Sequence, residues 1–473
     1  MSNQPNIVLI TADDMNWDAV GAYGCPVPGT TPNLDRLAAG GVRFEHAHVT
    51  IAVCQPSRSV LMTGRYPHRS GGEGFFNLRT AGVPILPDVL RGAGYRVGIL
   101  GKVGHSTPYR EFAWDMTYDM NDLGYGRSPA LYGERAASFV RQATEAGQPF
   151  FLMANSHDPH RPFYGNDEGI LYQGDDKEAA APPAVAPSRC YAPGEVTVPG
   201  FLPDLPDVRL EIAEYYGSVR RCDDTVGAVL NVLKQTGCEE NTIVVFLSDN
   251  GMAFPFAKTN CYLHSTRTPW IVRWPDGVRP GRVDGEHFVS GIDLTPTFLD
   301  AAGIEPPGGM DGSSFLPALR GEEQEGRDVV FTQFHQTAGK RNYPMRCVQT
   351  RRFGYIFNPW SDGERVFRNE SQAGRTMDAM RAAAASSEAI ASRVELFLRR
   401  VPEELYDFRD DPDALNNLIA APEYAAERER LCARLEAWME KTDDPALEAF
   451  RNRDSRAALD ALMNETAARL GGE

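Results

Sequence analysis

Residues that do chemistry concentrate in four groups along this chain. The first is "CQPSRSVLMTGR" at 54–65, where Cys54 precedes Pro56 and Arg58 at the start of a helix that Gly64 stops. A thiol at a helix N-terminus lies where free N–H groups and the dipole favour anions, and an arginine one turn in can grip an oxyanion bidentately. Three readings stand: a structural cysteine, a low-pKa thiolate nucleophile, or a thiol that is raw material for another group. The second and third stretches are acid pairs, Asp13-Asp14 after "NIVLITA" and Asp249-Asn250 after "TIVVFLS". Three carboxylates and an amide make a hard-oxygen set suited to Ca²⁺ or Mg²⁺, whereas zinc favours His and Cys. Each pair alone also reads as a helix cap or a turn, and their joint occurrence at strand ends favours the metal. The fourth group is cationic or titrating: Lys102 and His105 in "GKVGH", His157 and His160 in "NSHDPHRPF", and Lys258 in "FPFAKTN". Histidine is the natural proton carrier near neutral pH, and lysine supplies a point charge for an anion.

These residues need elements to position them. "NIVLIT" (6–11), "YRVGILG" (95–101), "FFLMAN" (150–155) and "TIVVFLSDN" (242–250) are short, nearly all-apolar runs between helical patterns. One such helix follows Thr31, Pro32 and ends at Gly40; a long one runs from about 208 to 235. Continuous apolar strands alternating with helices predict an α/β fold with a mainly parallel sheet covered on both faces. In such sheets ligands bind beyond the carboxyl ends of the strands, where the acid pairs lie. Residues 160–205, rich in Pro, Gly and Asp, read as a long irregular insertion. After about residue 325, "DVVFTQFHQ", "RCVQTRRFGYIFN" and "ELYDFRDDPDALNNL" predict antiparallel strands with polar faces, followed by two Ala/Glu/Arg-rich helices. The expected division is a catalytic α/β domain over 1–325 and a smaller α+β domain over 326–473.

The 473 residues suffice for a large core, and a composition of 42% hydrophobic and 24% charged is that of a globular protein. A net charge of −16 argues against nucleic acid or an anionic membrane as partner, since both require a basic surface. No apolar run reaches the length of a membrane span, and "MSNQPNIVLITADD" has no signal-peptide pattern. Eight scattered cysteines without a C-x-x-C pair read as reduced thiols, so a cytoplasmic location is expected.

"CQPSR" with "SVLMTGR" resembles the signature of the sulfatases, in the alkaline-phosphatase superfamily. "NIVLITADD", Gly-Lys plus His, "HDPH", "SDNG" and "ELYDFRDDPDALNNL" continue the resemblance in order over nearly the whole chain. It implies a large alkaline-phosphatase-like domain with a C-terminal four-stranded sheet. It also implies that Cys54 is oxidised to formylglycine by a maturation enzyme, and that the hydrate of that aldehyde is the nucleophile. Asp13, Asp14, Asp249 and Asn250 would bind one divalent cation, usually Ca²⁺, with the oxidised Cys54 as a further ligand. By the same resemblance Arg58 would steady the hydrate, Lys102 and Lys258 would bind sulfate oxygens, His157 would protonate the leaving group and His105 would accept a proton.

Within the family, "HDPHRPF", "FPFAKTN" and "YPMRCVQTRRFGYIFN" are most similar to the heparan N-sulfatase (sulfamidase) branch. Two departures sit at the sulfate pocket: two residues rather than one separate Lys102 from His105, and Lys258 stands where that branch has arginine. The resemblance therefore implies a sulfatase acting on the sulfate ester or sulfamate of a small sulfated saccharide. The alternatives are a phosphonate or phosphate monoester hydrolase and a non-catalytic sulfoglycan binder. Trp17, Glu73, His160, His264 and Arg346 are candidate specificity residues, each as readily explained by packing. His46 and His48 share one side of a strand-like segment and carry no assigned role. The long C-terminal helices would permit a homodimer.

Overall fold

The apolar runs form the strands they predict, and the alternation of their side chains explains why the sheet must be covered twice. In β1 (Asn6–Asp13), Val8, Ile10 and Ala12 enter one hydrophobic core while Ile7 and Leu9 enter another on the opposite face. No face of such a strand can meet water without exposing apolar surface, so helices pack against both. The structure, a computed structural model, describes residues 4–109, 111–166 and 185–472.

Eight strands build the main sheet: β1, β2 (Val42–His48), β3 (Arg96–Leu100), β4 (Met116–Tyr118), β5 (Phe150–Pro159), β6 (Thr242–Ser248), β7 (Trp270–Arg273) and β8 (Arg282–Ser290). Their order is β4-β3-β5-β1-β6-β7-β2-β8, and every pairing is parallel except those made by β7. β1 sits at the centre between β5 and β6, with Thr11 beside Asn155 and Ala12 beside Ser248. The carboxyl ends of β1, β3, β5 and β6 are thereby gathered at one edge. The expected long helix is Pro206–Gln235, which packs with Pro129–Glu145 over one face. The helix at Pro32–Ala39 begins after Thr31 as expected; Thr31 Oγ1 accepts from the Gly21 N–H instead of capping the helix.

A second sheet of four antiparallel strands has the order β12-β11-β10-β9, formed by β9 (Val330–Gln336), β10 (Asn342–Gln349), β11 (Phe353–Phe357) and β12 (Glu403–Asp407). The α/β class, the mixed and mainly parallel main sheet and the separate four-stranded sheet are thus as expected. One detail differs: these strands do not have water-facing polar sides. β10 and β11 are buried along their whole lengths, with helices such as Ala425–Lys441 against β10. Their polar side chains are paired inside: Arg346 meets Asp444 at 2.5 and 2.8 Å, both residues buried. Of the expected insertion, 167–184 lies outside the described residues. The stretch 185–205 is irregular apart from one helical turn at Pro193–Glu195.

Candidate active site

The site begins at the carboxyl end of β1. Asp13 and Asp14 are both fully buried, and Asp14 takes a left-handed backbone with φ 70°. A non-glycine residue in that region stores backbone strain, which accumulates where geometry serves a site. The turn is held by β6: Asp14 N–H donates to Asp249 Oδ1 at 3.2 Å and Met15 N–H to Ser248 Oγ at 2.8 Å. Carboxylate oxygens of Asp13, Asp14 and Asp249 all lie within 4.8 Å of one another. Asn250 donates through Nδ2 to Asp14 Oδ1 at 2.7 Å. Asp13 Oδ1 and Asn250 Oδ1 are buried and have no hydrogen-bond partner. Buried oxygens left unpaired cost stability unless something fills the gap, and a hard cation among four such residues would do so.

Three cations balance this acidity. Arg58, fully buried in the helix Cys54–Thr63, donates from Nε to Asp249 Oδ2 at 2.9 Å and from Nη1 to Thr11 Oγ1 at 2.8 Å and Asn155 Oδ1 at 2.7 Å. Arg58 thus spends two of its donors on one oxygen of Asp249, Oδ2, rather than on an incoming oxyanion. Lys102 follows β3 with φ 49°, and its ammonium contacts Asp13. Gly101 before it has φ 69°, and any side chain there would strike the Asn155 carbonyl. Lys258 is buried and contacts Asp14 at 2.6 Å and also Glu370.

Charge balance sets the protonation pattern. Burial alone would raise all three aspartates, but Lys102, with His160, Arg58 and Lys258, holds Asp13 well below the usual carboxylate range. For Asp14 burial outweighs Lys258 and the carboxyl is raised. Burial pushes Asp249 up to about 7 despite Arg58.

Cys54 is the first residue of its helix and is buried, with Sγ within 4.8 Å of an Asp13 oxygen and a His160 nitrogen. Burial and the three aspartates push its thiol well above the ordinary value, against the pull of Lys258. Of the readings for Cys54, the low-pKa thiolate is therefore disfavoured: burial, aided by the nearby carboxylates, holds the thiol protonated.

A cavity of about 480 Å³ opens onto this cluster, lined by Cys54, Phe75, His105, His160, Lys258 and Glu370 among others. His105 packs edge-on against Phe75 at 5.5 Å, and burial and Lys102 depress it to about 3, so it is neutral. His157 stands behind Lys102 instead of on the cavity wall; its Nε2 accepts the Lys102 N–H at 3.2 Å. Burial and Lys102 keep it neutral too. His160, one turn of chain later, reaches the cavity. Its Nδ1 is 2.6 Å from the Arg161 carbonyl, which sets Nδ1 as donor and points Nε2 at Asp14 and Glu370, 3.9 and 3.8 Å away.

Of the other candidates, Glu73 pairs with Arg469 and lies 3.1 Å from His335, and Arg346 pairs with Asp444; both are interior ties. Trp17 stacks on His264 at 6.2 Å, and His264 bonds Asn16 and Asp413, outside the cavity. His46 and His48 both stack on Phe288, on one side as expected.

Sequence reasoning missed Glu370, which opens a single helical turn, Glu370–Ala373, with no local pattern to mark it. Thr11 and Asn155, the ties of Arg58, were equally unmarked; only their places at strand ends could have pointed to them.

Comparison with known proteins agrees with this geometry. The Sulfatase family model matches residues 5–304, and the model described as N-sulphoglucosamine sulphohydrolase, C-terminal, matches residues 253–364. Human N-sulphoglucosamine sulphohydrolase is 32% identical over 465 residues, covering 93% of this chain and 91% of that one. An ulvan-active sulfatase of Formosa agariphila is 27% identical over 449 residues, covering 94% and 82%. Among solved structures, a protein in complex with its substrate D-glucosamine-2-N,6-O-disulfate superposes with TM-score 0.69 at 20% identity, covering 93% of this chain and 98% of that one. The phosphonate monoester hydrolase of Agrobacterium radiobacter gives 0.65 at 21%, covering 93% and 96%. With a family model over residues 5–304 and a relative 32% identical along nearly its full length, the chain belongs to the sulfatase family of sulfohydrolases.

Proposed function

We propose that this enzyme removes the sulfo group from a small sulfated glucosamine, with the sulfamate of N-sulfoglucosamine as first candidate and a glucosamine O-sulfate as second. The observation that carries the reading is the 32% identity to an N-sulphoglucosamine sulphohydrolase over 93% of the chain, joined to a cavity that Cys54 lines together with Lys258, His105 and His160, with Lys102 held on Asp13 close by.

Asp13, Asp14, Asp249 and Asn250 would hold one divalent cation, for which Ca²⁺ suits the all-oxygen donors and Mg²⁺ is the second choice; the two orphaned oxygens support the fit. When present, the cation and a hydrated formylglycine made from Cys54 by a separate maturation enzyme supply charge neutralisation and the nucleophilic oxygen. The protein's own residues do the rest. Lys102 and Lys258, each leaning on one of the paired aspartates, present ammonium groups to the sulfo oxygens. Neutral His105 accepts a proton at the cavity wall. His160, its Nδ1–H facing a carbonyl, turns Nε2 into the cavity and in its imidazolium form would pass the Nε2 proton to the leaving nitrogen or oxygen. His157, bonded to the Lys102 backbone, positions that lysine. Arg58 fixes Asp249 and adds positive charge beneath the site.

The eight free cysteines support a reducing, cytoplasmic setting, and a boundary near 325 separates the residues of the two sheets. Among the described residues no helix is long and apolar enough to cross a membrane. The test is sulfate release from N-sulfoglucosamine and from glucosamine 6-O-sulfate, side by side, with Ca²⁺ and confirmed formylglycine. Release from the N-sulfo sugar is expected. Release from the 6-O-sulfate alone would move the substrate to the ester, and release from neither would overturn the glucosamine reading.

A further inference from the structure

A pocket built only to bind an anion has no use for a carboxylate on its wall, yet Glu370 is there. It opens the helical turn Glu370–Ala373, and its Oε1 contacts Lys258 Nζ, the same ammonium that holds Asp14 at 2.6 Å. Its Oε2 lies 3.8 Å from His160 Nε2. The position is fixed from both sides. Asn369 Nδ2 donates to Thr259 Oγ1 at 2.6 Å, next to Lys258 in the chain. The N–H groups of Arg375 and Thr376 donate to buried Glu211 at 3.1 and 2.8 Å. With 36% of its side chain exposed, Glu370 meets whatever enters the cavity.

A fixed negative charge beside the sulfo-binding ammonium repels any bare anion. An ionised carboxylate only accepts hydrogen bonds, and bonds to it from a hydroxyl or amine are among the stronger ones. On the reading that this cavity takes a sulfo group, we propose that Glu370 is a specificity-determining residue. It weakens the hold on free inorganic anions, including the sulfate product. It accepts a hydrogen bond from a hydroxyl or amine beside the sulfo group, so that a sulfated sugar regains what a bare anion loses.

The experiment uses the matured, cation-loaded enzyme with Glu370→Gln and Glu370→Ala. Three probes are read: inorganic sulfate as competitive inhibitor, N-sulfoglucosamine as substrate, and 4-nitrophenyl sulfate as a substrate without a neighbouring donor. Both variants should bind inorganic sulfate about tenfold more tightly, as expected for removing one like charge at roughly 5 Å in a partly screened site. The kcat/KM for the aryl sulfate should hold or rise. For N-sulfoglucosamine it should fall about tenfold in Glu370→Ala and less in Glu370→Gln, whose amide oxygen still accepts. Unchanged sulfate inhibition, or equal losses on both substrates, would overturn the proposal. Failure of the unsubstituted enzyme to release sulfate from either substrate would overturn the sulfo-group reading beneath it, and the proposal with it.

Discussion

Removing Arg58 should destabilise the protein by stranding a charge, and removing that charge should give the stability back. Arg58 and Asp249 are both fully buried, and Asp249 Oδ2 receives Nε at 2.9 Å and Nη2 at 2.8 Å. Breaking a buried pair by deleting one partner costs about 3–5 kcal/mol, because the other charge remains in low dielectric. An unfolding entropy scaled to this chain length is about 1 kcal/mol/K, so Arg58→Met should lower Tm by about 3–5 °C. The assay is calorimetric unfolding in chelator, so that no cation neutralises the aspartates. Adding Asp249→Asn to Arg58→Met removes the stranded carboxylate, and the double variant should recover more than half of the loss. Recovery stays incomplete because Thr11 and Asn155 also lose their donor, at about 1 kcal/mol each. The sign with pH is fixed as well. The folded-state pKa of Asp249, about 7 with Arg58 present, rises further without it, so the folded variant holds its proton to higher pH. A carboxyl raised on folding loses stability as pH climbs toward its folded value, and in the variant that loss continues past pH 7. The Arg58→Met penalty should therefore grow from pH 6 to pH 8. A fall in Tm below 1 °C, or a deeper loss on adding Asp249→Asn, would refute the buried-charge account.

Cation binding should release a proton near neutrality, because Asp249 sits at about 7 and must be ionised to act as a ligand; affinity by calorimetry should rise with pH through 7 and then level, and a flat profile would exclude Asp249 as ligand. Arg346→Met should lower Tm by about 3–5 °C by stranding buried Asp444, yet leave kcat/KM within about twofold, since Arg346 does not line the cavity. His46 is held down to about 4 by burial and Arg267, so the unfolded chain takes up its proton first as pH falls. Its contribution to stability is full above about 6.5 and lost toward pH 4; His46→Asn should shrink the loss seen by urea unfolding between pH 6.5 and 4.5.

The parts legible in the sequence are those where burial leaves one solution. β1, β5 and β6 are central, so they are apolar on both faces and announce themselves, and the polar residues that end them stand out as site residues. The outer strands are harder. "VRFEHAH" of β2 and "RVDGEHFVS" of β8 mix polar and apolar residues, and β7 has only four residues, so none carries a clear period. The polar residues of β9 and β10 predicted a wet face because sequence cannot show that Arg346 has Asp444, 98 positions away, as its buried partner. That His160 lines the cavity while His157 does not has a similar cause. His157 lies among the last residues of β5 and His160 just beyond it, and only the fold shows that the Lys102 N–H occupies the first. Glu370 reaches the site across more than a hundred residues from Lys258, with nothing local to betray it.

In the proposed mechanism a group made from Cys54 carries the reaction. The direct measurement pairs mass analysis of the Cys54 peptide with sulfate release from N-sulfoglucosamine, across preparations matured to different extents. The rate should rise in proportion to the fraction of peptide that has lost its sulfur, and vanish in Cys54→Ala. Full turnover by protein with an intact Cys54 thiol would contradict it.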